Sequence, residues 1–524
     1  MKRFIIPLLA LAITAVFYVA SITSTDPGPD GVAALKAKYA VKAKPSVDHA
    51  KFTQLQRTFR RPQEVTAACI DCHNGRHTEV MQSSHWNWER EEFIEGRGIR
   101  YVGKKNILNN FCIGINTNEQ SCNKCHIGYG WGDKGFDFSD ALNVDCLACH
   151  DNSETYMKKS GGAGMPDPAV NLTVVAQKVG RPTRTNCGTC HFFGGGGNNV
   201  KHGDLEKALF DTDREVDVHM GSDGANLECV ACHTAEKHQM LGKVYSLSSM
   251  NRDRSTCEQC HTATPHENEV INEHVVKVAC QTCHIPEYAK VNSTKLAWDW
   301  STAGKLKEGE PYEELDSLGN ILYASIKGTF TWGRNVKPEY VWFNGTASHY
   351  LTGDRVPDTA PIPMNTLHGS YDDPDAKIIP VKVHRALQPY DPVNRTIIQP
   401  KTYAANKGEG GFWKDFDWNT SIRTGMAYVG LPYSGQYTFA RTEMYWPVNH
   451  MVSPKGKAVG CTECHTRENG RIANLKDFYM PGRDTNAAVE LFGTGAIVMT
   501  LLGVGIHAGV RIVLSRKRSS GARP

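Results

Sequence analysis

The chain has 524 residues, 40% hydrophobic and 22% charged, which is length enough for several ordinary domains. Its formal charge of +4 gives no argument for a nucleic-acid partner, since bound acidic groups would reverse so small an excess. Seventeen cysteines are more informative: sixteen fall into eight C-x-x-C-H motifs. Zinc knuckles would need further ligands at their own spacing. A disulfide scaffold gives no reason for histidine always to follow the second cysteine, whereas covalent c-type haem attachment does.

Taken in order, residues 1–21 read as a signal peptide or N-terminal anchor. Lys2 and Arg3 precede an apolar run from Phe4 to about Ala20, followed by the polar SITSTDPGPDG. Residues 22–60 read as a linker and short helix, with Ala- and Lys-rich sequence from Ala33 to Ala40 and His49 ahead of Lys51–Phe59.

Residues 61–284 form a haem-dense region with seven motifs: Cys69/Cys72/His73, Cys122/Cys125/His126, Cys146/Cys149/His150, Cys187/Cys190/His191, Cys229/Cys232/His233, Cys257/Cys260/His261 and Cys280/Cys283/His284. Their first cysteines lie 53, 24, 41, 42, 28 and 23 residues apart, too irregular for a tandem repeat but close enough for neighbouring haems to touch. In each motif two thioethers would fix the macrocycle and the imidazole would ligate iron.

Residues 285–460 carry no motif. Their histidines (His349, His368, His384 and His450) and many aromatics suggest a lobe that folds over the haems and donates distal ligands. Ile321–Ile326 and Ala376–Val383 read as short strands. Residues 461–486 hold the eighth motif, Cys461/Cys464/His465, and a tail. Residues 491–510, LFGTGAIVMTLLGVGIHAGV, have the length and apolarity of a membrane helix, and the basic cluster Arg511, Arg516, Lys517 and Arg518 should stay cytoplasmic. The expected fold is a multihaem cytochrome c: mainly α-helix and irregular loops around eight covalent haems, few short strands, and a C-terminal transmembrane helix. The haem body is expected on the periplasmic side of the cytoplasmic membrane.

Thirteen histidines lie outside the motifs, twelve of them outside the apolar span, so eight distal imidazoles are available but not required. His507, within the span, has no assigned role. Cys112 is the cysteine left over, readable equally as a reactive thiol or as a small buried hydrophobe. After the fourth motif, Phe192-Phe193 and four glycines (Gly194–Gly197) lead through Asn198 to Lys201 and His202. Four consecutive glycines allow close approach of backbone to a macrocycle, or make a plain surface turn.

These segments resemble the octahaem cytochromes of the tetrathionate reductase type, relatives of hydroxylamine oxidoreductases and pentahaem nitrite reductases. The resemblance runs over about residues 48–484. It rests on the eight motifs with a long gap before the last, Asn109-Asn110-Phe111-Cys112, the GWGD and FDFS stretches, HFFGGGG ending at Lys201-His202-Gly203-Asp204, and the tail Leu475–Asp484. It implies that the catalytic haem is the second, with His126 proximal and Lys201 distal, and that Cys112 and Asn109 line the pocket. It also implies that His202 ligates a neighbouring haem. Asn198 stands where the family pattern has aspartate, and an amide cannot act as a general acid.

The implied activity is multi-electron reduction of a small nitrogen or sulfur compound: nitrite, hydroxylamine or tetrathionate. Electrons would come from a membrane quinol-oxidising cytochrome or a soluble carrier, and a homo-oligomer is compatible with this. The alternatives are a pure electron conduit and a hydroxylamine or hydrazine oxidoreductase. The absence of a C-x-x-C-K motif argues against the pentahaem nitrite reductases.

Overall fold

The computed structural model describes residues 47–110, 114–242, 251 and 253–520. The N-terminal signal or anchor, most of the 22–60 segment and Cys112 lie outside the described residues. Two compact units meet at the Val459/Gly460 boundary.

In the first unit, short helical turns carry the motifs. Pro62–Cys72, Leu147–His150, Arg184–His191, Cys229–Cys232 and Cys280–His284 are α-helical, and Asn123–Cys125 and Cys257–Gln259 are 3₁₀ turns. Residues three apart share a helix face, so one turn aims both thiols at one macrocycle edge and leaves the histidine at the helix end. Local signals set the helix starts. Pro62 occupies the first turn, where its missing N–H costs nothing. Asn186 Oδ1 accepts the Thr183 N–H ahead of Arg184–His191.

The 285–460 lobe departs from the expectation of few short strands. It is built on a nine-stranded mixed sheet. The segments expected as strands form Ile321–Ala324 and Lys377–Asp391, but the latter runs for 15 residues. It pairs antiparallel with Thr438–Pro447 from Val381↔Pro447 to Tyr390↔Thr438, antiparallel with Glu339–Phe343, and parallel with Thr294–Asp299. The lobe has no haem to supply an interior, so it must bury its own apolar side chains and pair its own backbone. Trp298, Trp300, Phe330, Met364, Val381, Val383, Met444 and Trp446 form that core. The long strand is buried on both faces and includes Pro380, Lys382, His384 and Gln388, so the two-residue alternation that announces a strand is missing.

In the second unit, Cys461–Cys464 is a helical turn and His465 Nδ1 lies 2.7 Å from the Pro481 carbonyl. That contact turns Nε2 outward. The unit ends in the helix Ala487–Ser520, of which Ala487–Arg516 is long and apolar enough to cross a membrane. Leu491, Phe492 and Met499 are exposed along it.

Candidate redox centre

A continuous cavity of about 3310 Å³ runs through the first unit. Its walls include both cysteines of all seven motifs there and six of the seven motif histidines; His126 is not among them. The six histidines each face a second imidazole. The ring-centre separations are His73–His49 6.3 Å, His150–His238 6.4 Å, His191–His85 6.2 Å, His233–His450 6.2 Å, His261–His219 6.1 Å and His284–His266 6.1 Å. A metal–imidazole bond of about 2.0 Å on each side, plus roughly 1.1 Å from nitrogen to ring centre, gives about 6 Å. The pairs therefore fit six bis-histidine irons, and the flanking cysteine pairs fit thioether-bound haem c.

Buried imidazoles lose affinity for protons, which makes the His85–His191 pair available as neutral ligands; burial alone lowers His85, and it is the main cause for His191, brought down to about 3. Hydrogen bonds at Nδ1 fix several rings with Nε2 toward the cavity. His150 bonds the Gly180 carbonyl at 2.8 Å and His233 the Leu241 carbonyl at 3.1 Å. Two distal rings bond carboxylates instead: His238 to Glu79 at 2.8 Å and His450 to Asp204 at 3.1 Å.

Of these six distal histidines only His450 comes from the 285–460 lobe. His49 precedes the first motif, and the rest come from the haem-dense region itself. His349 and His384 are buried in the lobe, away from the cavity wall. No sequence signal marks the pairing, because partners are separated by unrelated stretches of chain.

Motifs also meet through cysteines. Cys69 and Cys146, Cys125 and Cys190, Cys187 and Cys229, and Cys257 and Cys280 are within hydrogen-bonding reach of each other. Each contact joins two different motifs. The second motif joins this series at the fourth.

The second motif differs from the other six. His126 Nε2 lies 2.7 Å from the Trp86 carbonyl oxygen, and the ring is enclosed by Trp86, Trp88, Trp131, Phe136 and Phe138, with centres 4.8–6.1 Å away. Burial, opposed by the Trp86 bond and aided by Lys158, Lys104 and Lys105, pulls its pKa to about 3. The ring is therefore neutral, and the Trp86 carbonyl accepts the Nε2 proton. Gly128 makes room for this: a Cβ there would lie 2.7 Å from His126 Cε1. Lys158 holds the turn from outside, donating to the His126 carbonyl and pairing with Asp145 at 2.7 Å. His126, expected as the proximal ligand of the second haem, is thus held in an aromatic cage against a backbone carbonyl.

Lys201 does line the cavity. Its Nζ lies 4.6 Å above the Trp446 ring. Burial, with Lys104 nearby and Cys125 opposing, lowers its pKa to about 8, so the neutral amine that a metal needs is accessible. Gly194 lies against it, with space for a Cβ only 3.4 Å from Lys201 Cδ. Asn109 and Lys104 line the same cavity.

Asn198 Oδ1 accepts the Lys207 N–H at 2.7 Å at the start of the Lys207–Phe210 turn, and Asn198 does not line the cavity. His202 lies on the cavity wall, but its ring stands edge-on to Trp446 at 5.1 Å and faces no motif histidine. The residues flanking Cys112 are pinned to the long strand: Asn110 Nδ2 donates to the His384 carbonyl and Gln388 Nε2 to the Asn109 carbonyl, both at 2.7 Å.

The model of a family described as bacterial cytochrome c matches residues 295–468. The crystal structure of the octahaem cytochrome c from Shewanella oneidensis superposes with a TM-score of 0.77 at 44% identity, covering 84% of this chain and 98% of that one. An uncharacterised protein of Archaeoglobus fulgidus is 25% identical over 245 residues, 37% of this chain and 80% of that protein.

Proposed function

The chain belongs to the octahaem cytochromes c, and on that premise we propose that it is an eight-haem reductase. It would pass several electrons to a small nitrogen or sulfur compound (nitrite, hydroxylamine or tetrathionate) at the site between Cys122 and Cys125. One observation carries this reading: six motif histidines of the first unit face a second imidazole across the cavity, and His126 does not. Bound haem c supplies one-electron redox chemistry and, where a ligand position stays open, a binding place for substrate.

This chain's own residues prepare that position. Lys201 offers the distal ligand, neutral enough to bind because burial has already weakened its hold on a proton. His126 would hold the proximal side, leaving the Lys201 side as the one that substrate can open. Lys104, stacked 3.8 Å over Trp88 on the cavity wall, adds positive charge that favours an anion such as nitrite or tetrathionate. Asn109 can hydrogen-bond such a substrate. The cysteine contact between the second and fourth motifs supports electron supply from the rest of the array.

The same cysteine contacts also suit a conduit with no substrate, and this is the second reading. Electrons would enter from a quinol-oxidising membrane cytochrome or a soluble carrier in either case. The apolar helix Ala487–Arg516 supports attachment of an extracytoplasmic body to the membrane.

Replacement of Lys201 by Met, with haem content verified, decides between the two readings. A reductase should lose one low-spin signal and change its nitrite or hydroxylamine binding. Unaltered spectra and unaltered binding would exclude Lys201 as ligand. A changed spectrum with no substrate binding by the reduced native protein would favour the conduit.

A further inference from the structure

Lys382 is 0% exposed on the strand Lys377–Asp391, behind the turn that carries Lys201. Its Nζ donates to the Val200 carbonyl at 2.7 Å, to the Lys201 carbonyl at 3.1 Å and to Thr294 Oγ1 at 2.7 Å. Thr294 spends its own hydroxyl proton on the Asn199 carbonyl at 2.5 Å, so toward Lys382 it can only accept. Three acceptors call for three N–H donors, which an ammonium has and a neutral amine lacks. Burial pulls the Lys382 pKa down and Asp204 opposes it. The hydrogen-bond count favours the charged form, because deprotonation would leave a buried acceptor unmatched.

The bonds tie three successive residues, Asn199, Val200 and Lys201, to two strands of the sheet. Asn199 adds an Nδ2 bond to the Asn292 carbonyl at 3.0 Å. The constraint matters because the preceding loop is almost pure glycine, with Gly195 and Gly196 at positive φ, and cannot by itself specify where Lys201 points. The fit is close: a Cβ on Gly203 would lie 3.0 Å from Lys382 Cδ and 2.7 Å from Tyr288.

We infer that Lys382, through Thr294 and the 199–201 backbone, is the positioning residue that presents the Lys201 amine to the site between Cys122 and Cys125. The inference rests on Lys201 being the ligand there. No part of it requires Lys382 to touch substrate.

The test uses the full holoprotein with Lys382→Met, Thr294→Val and Thr294→Ser, each compared with Lys201→Met by electron paramagnetic resonance and by acid titration of the amine-ligated signal. Lys382→Met should lose that signal with haem content intact, and added methylamine should restore it. Turnover of hydroxylamine or nitrite should fall about 100-fold, the cost of misplacing a reacting group by about 1 Å. Thr294→Val should shift acid displacement of the amine to higher pH, and Thr294→Ser should behave as the native protein. If Lys382→Met fails to load haem, Thr294→Val carries the test. If Lys201→Met abolishes the signal while Lys382→Met and Thr294→Val leave it and its titration unmoved, the positioning role is overturned and the ligand stands. If Lys201→Met also leaves it unmoved, both fall.

Discussion

His126 Nε2 lies 2.7 Å from the carbonyl oxygen of Trp86, a residue forty positions earlier in the chain. That hydrogen bond separates the second motif from the six around it. It packs the second motif's histidine into an aromatic wall, while Lys201 stands as a nitrogen base on the cavity side.

The cage makes a pH prediction. The His126 pKa is about 3 in the folded chain against an ordinary 6.5, so between those values the unfolded chain binds a proton that the folded chain does not. Stability therefore falls as pH drops from about 6.5 toward 3, by at most about 1.4 kcal/mol per unit from this group. His126→Phe should remove that contribution. Thermal melts of the two proteins across this range should converge toward acid, and a constant difference would argue against a neutral caged imidazole.

Gly128 should not tolerate alanine. The new methyl group would overlap His126 and Trp86, both buried, and overpacking of this kind costs about 1–3 kcal/mol. A lowered melting temperature together with an altered signal from the second haem is expected, because the ring can relax only by leaving the Trp86 carbonyl.

Lys158 and Asp145 form a buried pair, with side chains 7% and 0% exposed. Tyr129 and Tyr156 also donate to Asp145, at 2.9 and 2.8 Å. Lys158→Met removes the charge that balances Asp145, at a cost of about 3–5 kcal/mol for breaking such a pair. Denaturant melts should show the loss, and adding Asp145→Asn should recover part of it.

Two distal imidazoles bond carboxylates, His238 to Glu79 and His450 to Asp204. A carboxylate at Nδ1 makes the ring a more basic ligand and favours the oxidised iron. Glu79→Gln and Asp204→Asn should each raise the potential of one haem, seen by spectroelectrochemistry as a single shifted wave. Unshifted potentials would reduce both carboxylates to packing roles.

A chain ending at Asp484 lacks the apolar helix Ala487–Arg516. It should fractionate away from membranes while keeping the ultraviolet–visible spectrum of the first unit. Retention in the membrane fraction would assign attachment to another part of the chain.

How much of this was legible beforehand varies with the range of the interaction. The sheet was visible only at Ile321–Ala324 and at the start of Lys377–Asp391, since a strand buried on both faces shows no alternation. The distal ligands were visible as a surplus of histidines and nothing more. Asn198 was visible from its position in a motif, but that its Oδ1 accepts the Lys207 N–H was not.

The sequence by itself determined where haem is attached, because C-x-x-C-H is a covalent instruction contained within five residues and needs one helical turn to execute. It likewise set the apolar C-terminal helix, whose length and composition are local properties. Only the tertiary structure decided which histidine faces which, because ligand pairs are closed by parts of the chain with no fixed separation in sequence. It alone built the cage around His126. That packing depends on five aromatic side chains and a carbonyl that converge on the ring, and on a glycine that leaves them room.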